Sequence, residues 1–148
     1  RDGENTNRRL HISYGGGSFQ LIGVGWNLIS LDEDRIGYLE HDQKDNSNAL
    51  IIYDVKKNEE SYRIQRNFAA ISYVGDDKLL LVERVNGGND FSLSVFDIKD
   101  GSEVTLGRSQ SEKVYLNMDS GVLLVDLVIP FKSEMSEIIY AIKLENLK

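Results

Sequence analysis

The sequence repeats one pattern of turns and apolar residues three times at a constant spacing. The three copies occupy residues 31–40, 74–83 and 117–126, so their starting positions differ by 43 residues. A constant period of this length is typical of folds in which each repeat is one supersecondary unit and neighbouring units share a core. The chain is therefore predicted to be a single all-β domain with repeats at about residues 26–66, 67–108 and 112–148.

A second landmark in each repeat is an apolar run that ends on an aromatic residue followed by an aspartate. The pairs are Tyr53-Asp54 and Phe96-Asp97, and Tyr140 takes the aromatic place of the third repeat after a shift of one residue. The aromatic side chains are predicted to pack between sheets. The two aspartates are predicted to accept hydrogen bonds from the amides of the following turn.

Alternation of apolar and polar residues between turn signals divides each repeat into strands, and no segment has the pattern of a helix. The predicted strands are residues 26–31, 35–41, 49–55 and 60–65 in the first repeat, 68–74, 78–85, 91–98 and 103–106 in the second, and 113–117, 122–129 and 137–144 in the third. Residues 9–14 are predicted to close the third repeat as its fourth strand, because an unpaired edge would otherwise remain. Asp100-Gly101 is predicted to form a two-residue type I′ hairpin turn.

The units at residues 51–59 and 93–101 resemble blades of the β-propeller superfamily, in which an aromatic–Asp pair ends the third strand and a polar turn follows. They are similar to WD-repeat blades, although the Gly-His pair of that family is missing. The resemblance implies three four-stranded antiparallel meanders of about 43 residues each. Because closed propellers have about four to eight blades, three arrangements stay open: part of a longer propeller, two copies paired into one ring, or a compact non-propeller barrel.

Composition narrows the class of protein and of partner. Hydrophobic residues are 41% and charged residues 28% of the chain, which indicates a globular rather than a disordered protein. The net charge of −7 repels phosphate backbones and anionic lipid head groups, so a protein partner, basic in charge, is favoured over nucleic acid. No apolar run is long enough to span a membrane. Cysteine is absent, which excludes disulfides and leaves the compartment, cytoplasmic or secreted, open.

Residue types suited to catalysis are sparse. The only histidines are His11 and His41, and no Gly-x-Ser-x-Gly elbow accompanies them, so an enzyme is disfavoured. The glycine-rich residues 15–25 precede no helix that would complete a phosphate loop, and we interpret them as a flexible bend between strands. The acidic turns, such as the one that begins at Asp32, are interpreted as turns rather than calcium sites. No metal or cofactor is predicted.

Two sets of residues are candidates for binding. The first set lies at loops and strand ends and is predicted to contact a protein partner; it consists of Trp26, Tyr14, Asn86, Asn89 and Asp90. The second set holds the same position in each repeat, where it forms either an acidic ring for a cationic group or ordinary charged strand ends; it consists of Glu40, Glu83 and Asp126.

These features favour a non-catalytic module that presents loops or a sheet edge to a protein partner. Two alternatives stay open. One is a fragment or subunit of a propeller enzyme, a hydrolase or lyase with a ligand site on the ring axis. The other is an acidic inhibitor or immunity-type protein, which the net charge alone favours.

The alternation also predicts which side chains form the core. They are Leu28, Ile36, Tyr38, Ile51, Tyr53, Ile71, Leu79, Leu81, Leu93, Val95, Val114, Val122, Leu124, Ile138 and Tyr140. The variant Val95→Asp is expected to lower the free energy of unfolding by more than about 3 kcal/mol, because it would bury an unpaired carboxylate. Thermal unfolding followed by circular dichroism measures this effect, and a melting temperature equal to that of the parent would contradict the alternation.

Overall fold

The computed structural model describes residues 8–13, 18–44, 46–85, 90–109, 115–119, 122–131 and 134–143. Within these ranges the regular structure is entirely β-strand, and no helix occurs in them. The strands, in chain order, are β1 Arg8–Ile12, β2 Gln20–Ser30, β3 Arg35–Asp42, β4 Ser47–Asp54, β5 Glu59–Arg66, β6 Phe68–Gly75, β7 Lys78–Val85, β8 Asp90–Asp97, β9 Glu103–Ser109, β10 Tyr115–Asp119, β11 Val122–Phe131 and β12 Glu134–Lys143.

The all-β prediction is confirmed, and each predicted strand is present. Strand ends agree with the prediction to within three residues, apart from the start of β2, which lies six residues earlier, at Gln20. The agreement follows from local physics, since side chains alternate between the faces of a strand and turn residues interrupt the alternation.

The strands form three antiparallel sheets. Their orders are β1-β2-β3-β4-β5, β6-β7-β8-β9 and β10-β11-β12. No sheet closes on itself in the described part of the chain, so the compact barrel is not formed there. The prediction that residues 9–14 close the third repeat is wrong, because β1 pairs with β2 in the first sheet. Consecutive strands joined by a short connection lose little entropy when they pair, which favours this local hairpin.

The chain divides into two compact units, Arg1–Ile71 and Ser72–Lys148, and the boundary falls within β6. The first unit holds the five-stranded sheet. One face of that sheet carries a cluster of buried side chains. Partly buried residues of β1, β2 and β3 pack against this cluster. The buried members are Tyr38, Ala49, Ile51, Tyr53 and Val55.

Two hairpins of the structure share one register. Arg35 of β3 pairs with Asp54 of β4, and Lys78 of β7 pairs with Asp97 of β8, so both members of the pair are displaced by 43 residues. The hairpin of β11 and β12 differs, because its last pair is Phe131 with Glu134 and only two residues connect the strands. The first two hairpins have four connecting residues each.

The central strands of the first two sheets are buried on both faces. Five consecutive residues of β4 and four of β7 are buried, the latter from Leu79 to Val82. Because consecutive side chains of a strand point to opposite faces, both faces of each strand are covered. The core is therefore larger than alternation predicts, and it includes Leu39, Leu50 and Leu80.

Most predicted core residues that the structure describes are buried. These are Tyr38, Ile51, Tyr53, Ile71, Leu79, Leu81, Leu93 and Val95. Ile36 and Val122 are half-buried. The side chains of Val114, Leu124, Ile138 and Tyr140 lie outside the described part of the chain.

The two-residue type I′ turn lies at a different place from the one predicted. Asp76 and Asp77 connect β6 to β7, and both have positive φ angles, 50° and 58°. At the predicted site only Gly101 has a positive φ, 73°. Its amide donates to the carbonyl oxygen of Asp97 at 2.9 Å, within a five-residue connection between β8 and β9. The prediction for Asp100-Gly101 is therefore wrong.

Glycines in β2 allow Tyr38 to pack over the strand. A Cβ atom at Gly23 would overlap the hydroxyl group of Tyr38, and one at Gly25 would overlap the carbonyl oxygen of Leu39. Glycine within a strand often marks such a close approach. The interpretation of residues 15–25 as a flexible bend is therefore wrong for residues 20–25, which belong to β2.

The variant Gly25→Ala is expected to lower the free energy of unfolding by about 1–3 kcal/mol, because the new methyl group meets backbone that cannot move away. Gly23→Ala should cost less in a Tyr38→Phe background than in the parent, since phenylalanine lacks the hydroxyl group that the methyl group would meet. Urea unfolding of the four proteins in this cycle measures the coupling. Additive effects of Gly23→Ala and Tyr38→Phe would contradict the proposed packing.

Candidate functional site

Exposed apolar residues concentrate on and beside β2. The large hydrophobic side chains that remain exposed in the described chain are Phe19 (75%), Leu21 (52%), Val24 (38%), Leu28 (55%) and, on β9, Val104 (40%). Single exposed hydrophobic residues are ordinary, whereas a group of them marks a binding surface. Four of these five lie within residues 19–28, and we call Phe19, Leu21 and Val24 the β2 apolar row; Val24 and Leu21 lie opposite Arg9 and His11 on one face.

A β-bulge turns Leu28 away from this row. The register between β2 and β3 shifts between Trp26 and Ile29, and Asn27, inside the bulge, has a φ of 54°. An extra residue in one strand reverses the faces of the residues that follow it. Leu28 therefore lies on the face opposite Val24, and because it is 55% exposed, the prediction that it belongs to the core is wrong.

The side chain of Asn27 holds the bulge in place. Its Nδ2 donates to the carbonyl oxygen of Ile71 at 2.9 Å, and its Oδ1 accepts from the amide of Ile71 at 3.0 Å. The single amide group thus satisfies both backbone groups of Ile71, as a neighbouring strand would. Without this contact, neither the backbone conformation of the bulge nor the orientation of the Leu28 side chain would be fixed.

Positive charge lies beside the apolar row. Arg9 is directly opposite Val24, and His11 is directly opposite Leu21. Directly opposite residues of an antiparallel pair project from the same face. Arg9 and His11 are exposed, and the sequence has no acidic residue between Glu4 and Asp32. Sequence analysis missed this surface, although that long gap between carboxylates was a signal that could have found it.

The partner-contact residues predicted from the sequence are only partly described. Trp26 is half-buried in β2, where it pairs with Leu39. Asp90 is exposed at the first position of β8. Tyr14, Asn86 and Asn89 lie outside the described residues, so their role as contacts stays a prediction.

The three carboxylates of the predicted acidic ring lie in three different sheets. Glu40 pairs with Ala49 in the first sheet and Glu83 with Ser92 in the second, at equivalent positions. Asp126 pairs with Ile139 in the third sheet. The ring itself stays a prediction.

Glu40 of β3 forms an ion pair with Arg63 of β5, across β4. Arg63 contacts Glu40 at 3.2 Å and Glu60 at 2.6 Å. The hydrogen bonds that Arg63 donates to Glu60 and, with a smaller effect, to Glu40 raise the pKa of Arg63 against the opposing effect of burial. A cationic ligand at Glu40 would have to compete with this guanidinium group.

The acidic turns bind their own backbone. The carboxylate of Asp32 accepts from the amides of Asp34 and Arg35 at 2.9 and 2.7 Å, and its hydrogen bond to the Arg35 side chain lowers the pKa of Asp32. This confirms that Asp32 stabilises a turn. In the residues that the structure describes, no three His, Cys, Asp or Glu side chains are grouped to hold a metal ion.

The predicted turn bonds of the aromatic–Asp pairs are confirmed. Asp54 accepts from the amide of Lys57, and Asp97 accepts from the amide of Lys99, each at 2.8 Å. Asp97 also accepts from the ammonium group of Lys78 at 3.0 Å, and this contact lowers the pKa of Asp97. These carboxylates stabilise hairpin ends.

His41 has a structural contact. Its Nδ1 lies 2.8 Å from Oδ1 of Asn48, and Nδ2 of Asn48 donates to the carbonyl oxygen of Phe68 at 2.6 Å. Because the Asn48 oxygen accepts, Nδ1 of His41 carries the proton and donates. The imidazole therefore orders the start of β6 through Asn48.

Comparison with known proteins assigns neither a family nor a function to the chain. No family model, curated protein or solved structure matches the chain. In the described ranges there is also no helix with the length and apolar character needed to cross a membrane.

The variant Asn27→Ala is expected to lower the free energy of unfolding by about 2 kcal/mol, because both backbone groups of Ile71 lose their partner. Asn46→Ala is a matched control, since Asn46 also has a positive φ, 55°, on an exposed site. Urea unfolding should show a clearly smaller loss for the control. Equal losses would indicate that the backbone conformation, rather than the contact with Ile71, determines the effect.

Proposed function

We propose that the chain is a non-catalytic protein-binding module, built of β-meander repeats similar to propeller blades. The β2 apolar row is the observation that carries the binding role. Leu21 and Val24 are exposed on β2, a strand fixed to its neighbours by the Asn27 contact with Ile71 and by the packing of Tyr38 over Gly23 and Gly25. A rigid apolar surface loses little entropy on binding, so burial of its area contributes directly to affinity.

Three observations support the repeat architecture in this proposal. The β3–β4 and β7–β8 hairpins share one register at a displacement of 43 residues. Their central strands are buried on both faces, as strands of stacked blades are. Tyr53 and Phe96, at equivalent positions, are both buried. The β11–β12 hairpin, with its shorter connection, is a divergent third copy in this proposal.

The apolar row is the observation that favours binding over catalysis in this proposal. His11 is exposed beside the row, and His41 is engaged with Asn48. A hydrolase or lyase site on a ring axis has no specific observation in its favour here.

Affinity purification with the full chain as bait, from the organism that encodes it, tests the proposal. The chain should retain a partner protein in constant proportion, and Leu21→Ser/Val24→Ser should weaken that partner's binding about tenfold through lost apolar burial. Val104→Ser is the matched control, because it removes an exposed apolar side chain on β9 and should leave binding unchanged.

Titration of the purified partner against the three proteins measures these affinities, and equal melting temperatures show that the variants are folded. A partner that binds the double variant as tightly as the parent would contradict the assigned surface. Recovery of no partner in constant proportion would contradict the binding module itself.

A further inference from the structure

β1 is the outermost strand of the five-stranded sheet. The sheet order begins at β1, so one edge of this strand faces no other strand of the described chain. Three of its five residues are exposed and none is fully buried. The backbone N–H and C=O groups at such an edge offer a ready template for a further strand.

The charge at this edge is opposite in sign to that of the whole chain. Arg8 and Arg9 are both exposed, and neither forms an ion pair in the described part of the chain. The protein carries a net charge of −7, yet residues 5–31 contain no carboxylate to neutralise these arginines. The local field therefore attracts an acidic segment, although net charge alone predicts a basic partner.

The surface beside the edge combines this charge with apolar contacts. Arg9 and Val24 project from one face of the hairpin, as do His11 and Leu21. On the other face, Leu10 and Ile12 pack against the buried cluster of the sheet. A strand added beside β1 would direct its side chains alternately to the two faces, so that carboxylates on the first face meet Arg9 and apolar groups on the second face lie beside Leu10 and Ile12.

We propose that β1 accepts an extended acidic segment of a partner protein as a sixth strand of this sheet, the segment alternating carboxylates with apolar residues. This inference rests on the proposed binding function and specifies the chemistry of the partner. Main-chain hydrogen bonds to β1 supply affinity that is independent of sequence, and the arginines select for acidic side chains.

A second copy of the chain suits this edge poorly. Two-fold pairing of β1 with itself would gather four exposed arginines in one two-stranded ribbon, where like charges on neighbouring strands repel. An acidic partner removes that repulsion and satisfies the same backbone groups.

Fluorescence anisotropy with labelled peptides of about eight residues tests the inference on the full chain. The first peptide alternates glutamate and valine, the second alternates lysine and valine, and the third is the first with proline at two positions. We expect the glutamate peptide to bind at least about tenfold more tightly than either control. The lysine peptide has the wrong charge, and proline removes strand hydrogen bonds.

Arg9→Glu should weaken the glutamate peptide about tenfold and strengthen the lysine peptide, because it reverses the charge beside the edge. Arg108→Glu makes the same change at an exposed residue of β9 and should bind like the parent. Hydrogen exchange at the amides of β1 should slow when the glutamate peptide is added. Equal binding of the glutamate and proline peptides, or no effect of Arg9→Glu, would overturn strand addition.

Other occupants of the edge give distinct results. Tighter binding of an oligothymidylate or of phosphatidylserine vesicles than of the glutamate peptide, lost in Arg9→Glu, would overturn the inference in favour of an anionic polymer or membrane. A dimer in sedimentation velocity that Arg9→Glu abolishes would overturn it in favour of self-association. If no peptide binds while partner capture still depends on Leu21 and Val24, the inference fails and the proposed function stands.

Discussion

Burial of both faces of the central strands is the constraint on which the rest of this structure depends. In β4 and β7, consecutive side chains such as Leu79 and Leu80 are removed from water although they point in opposite directions. A sheet with two apolar faces is stable only when both are covered, so such strands require a layered arrangement. The same requirement explains why these strands are continuous apolar runs rather than simple alternations. It also makes the exposed apolar residues of β2 an exception that calls for a functional reason.

β2 is shaped by two local departures from regular strand geometry. Gly23 and Gly25 leave room for Tyr38, whose burial, with smaller contributions from Glu60 and Glu40, raises its pKa to about 12. The bulge at Asn27 then reverses the faces to which the following side chains point. The first departure ties β2 to the buried cluster, and the second directs Leu28 to solvent. One strand therefore combines a fixed position with exposed apolar side chains, and the charged edge of β1 lies beside it.

Much of the fold could be predicted from the sequence, and the failures have identifiable physical causes. Strand positions and the turn bonds of Asp54 and Asp97 were predictable, because alternation and turn chemistry act over a few residues. The exposure of Leu28 was not, because a bulge changes the face without changing the composition. The turn at Asp100-Gly101 was misassigned because residue preference alone does not determine the length of a connection. The apolar row was missed for the same reason as Leu28, since alternation assumes an uninterrupted strand.

The sequence by itself determined that this chain is all-β, where its strands lie, and that two of its hairpins repeat at a spacing of 43 residues. These properties depend on neighbouring residues along the chain. Only the tertiary structure decided that β1 joins β2, that Asn27 binds Ile71, and that apolar side chains and Arg9 share one surface. Asn27 and Ile71 are 44 residues apart, and the partner of β1 depends on competition between possible strand pairings, so no local pattern determines either contact.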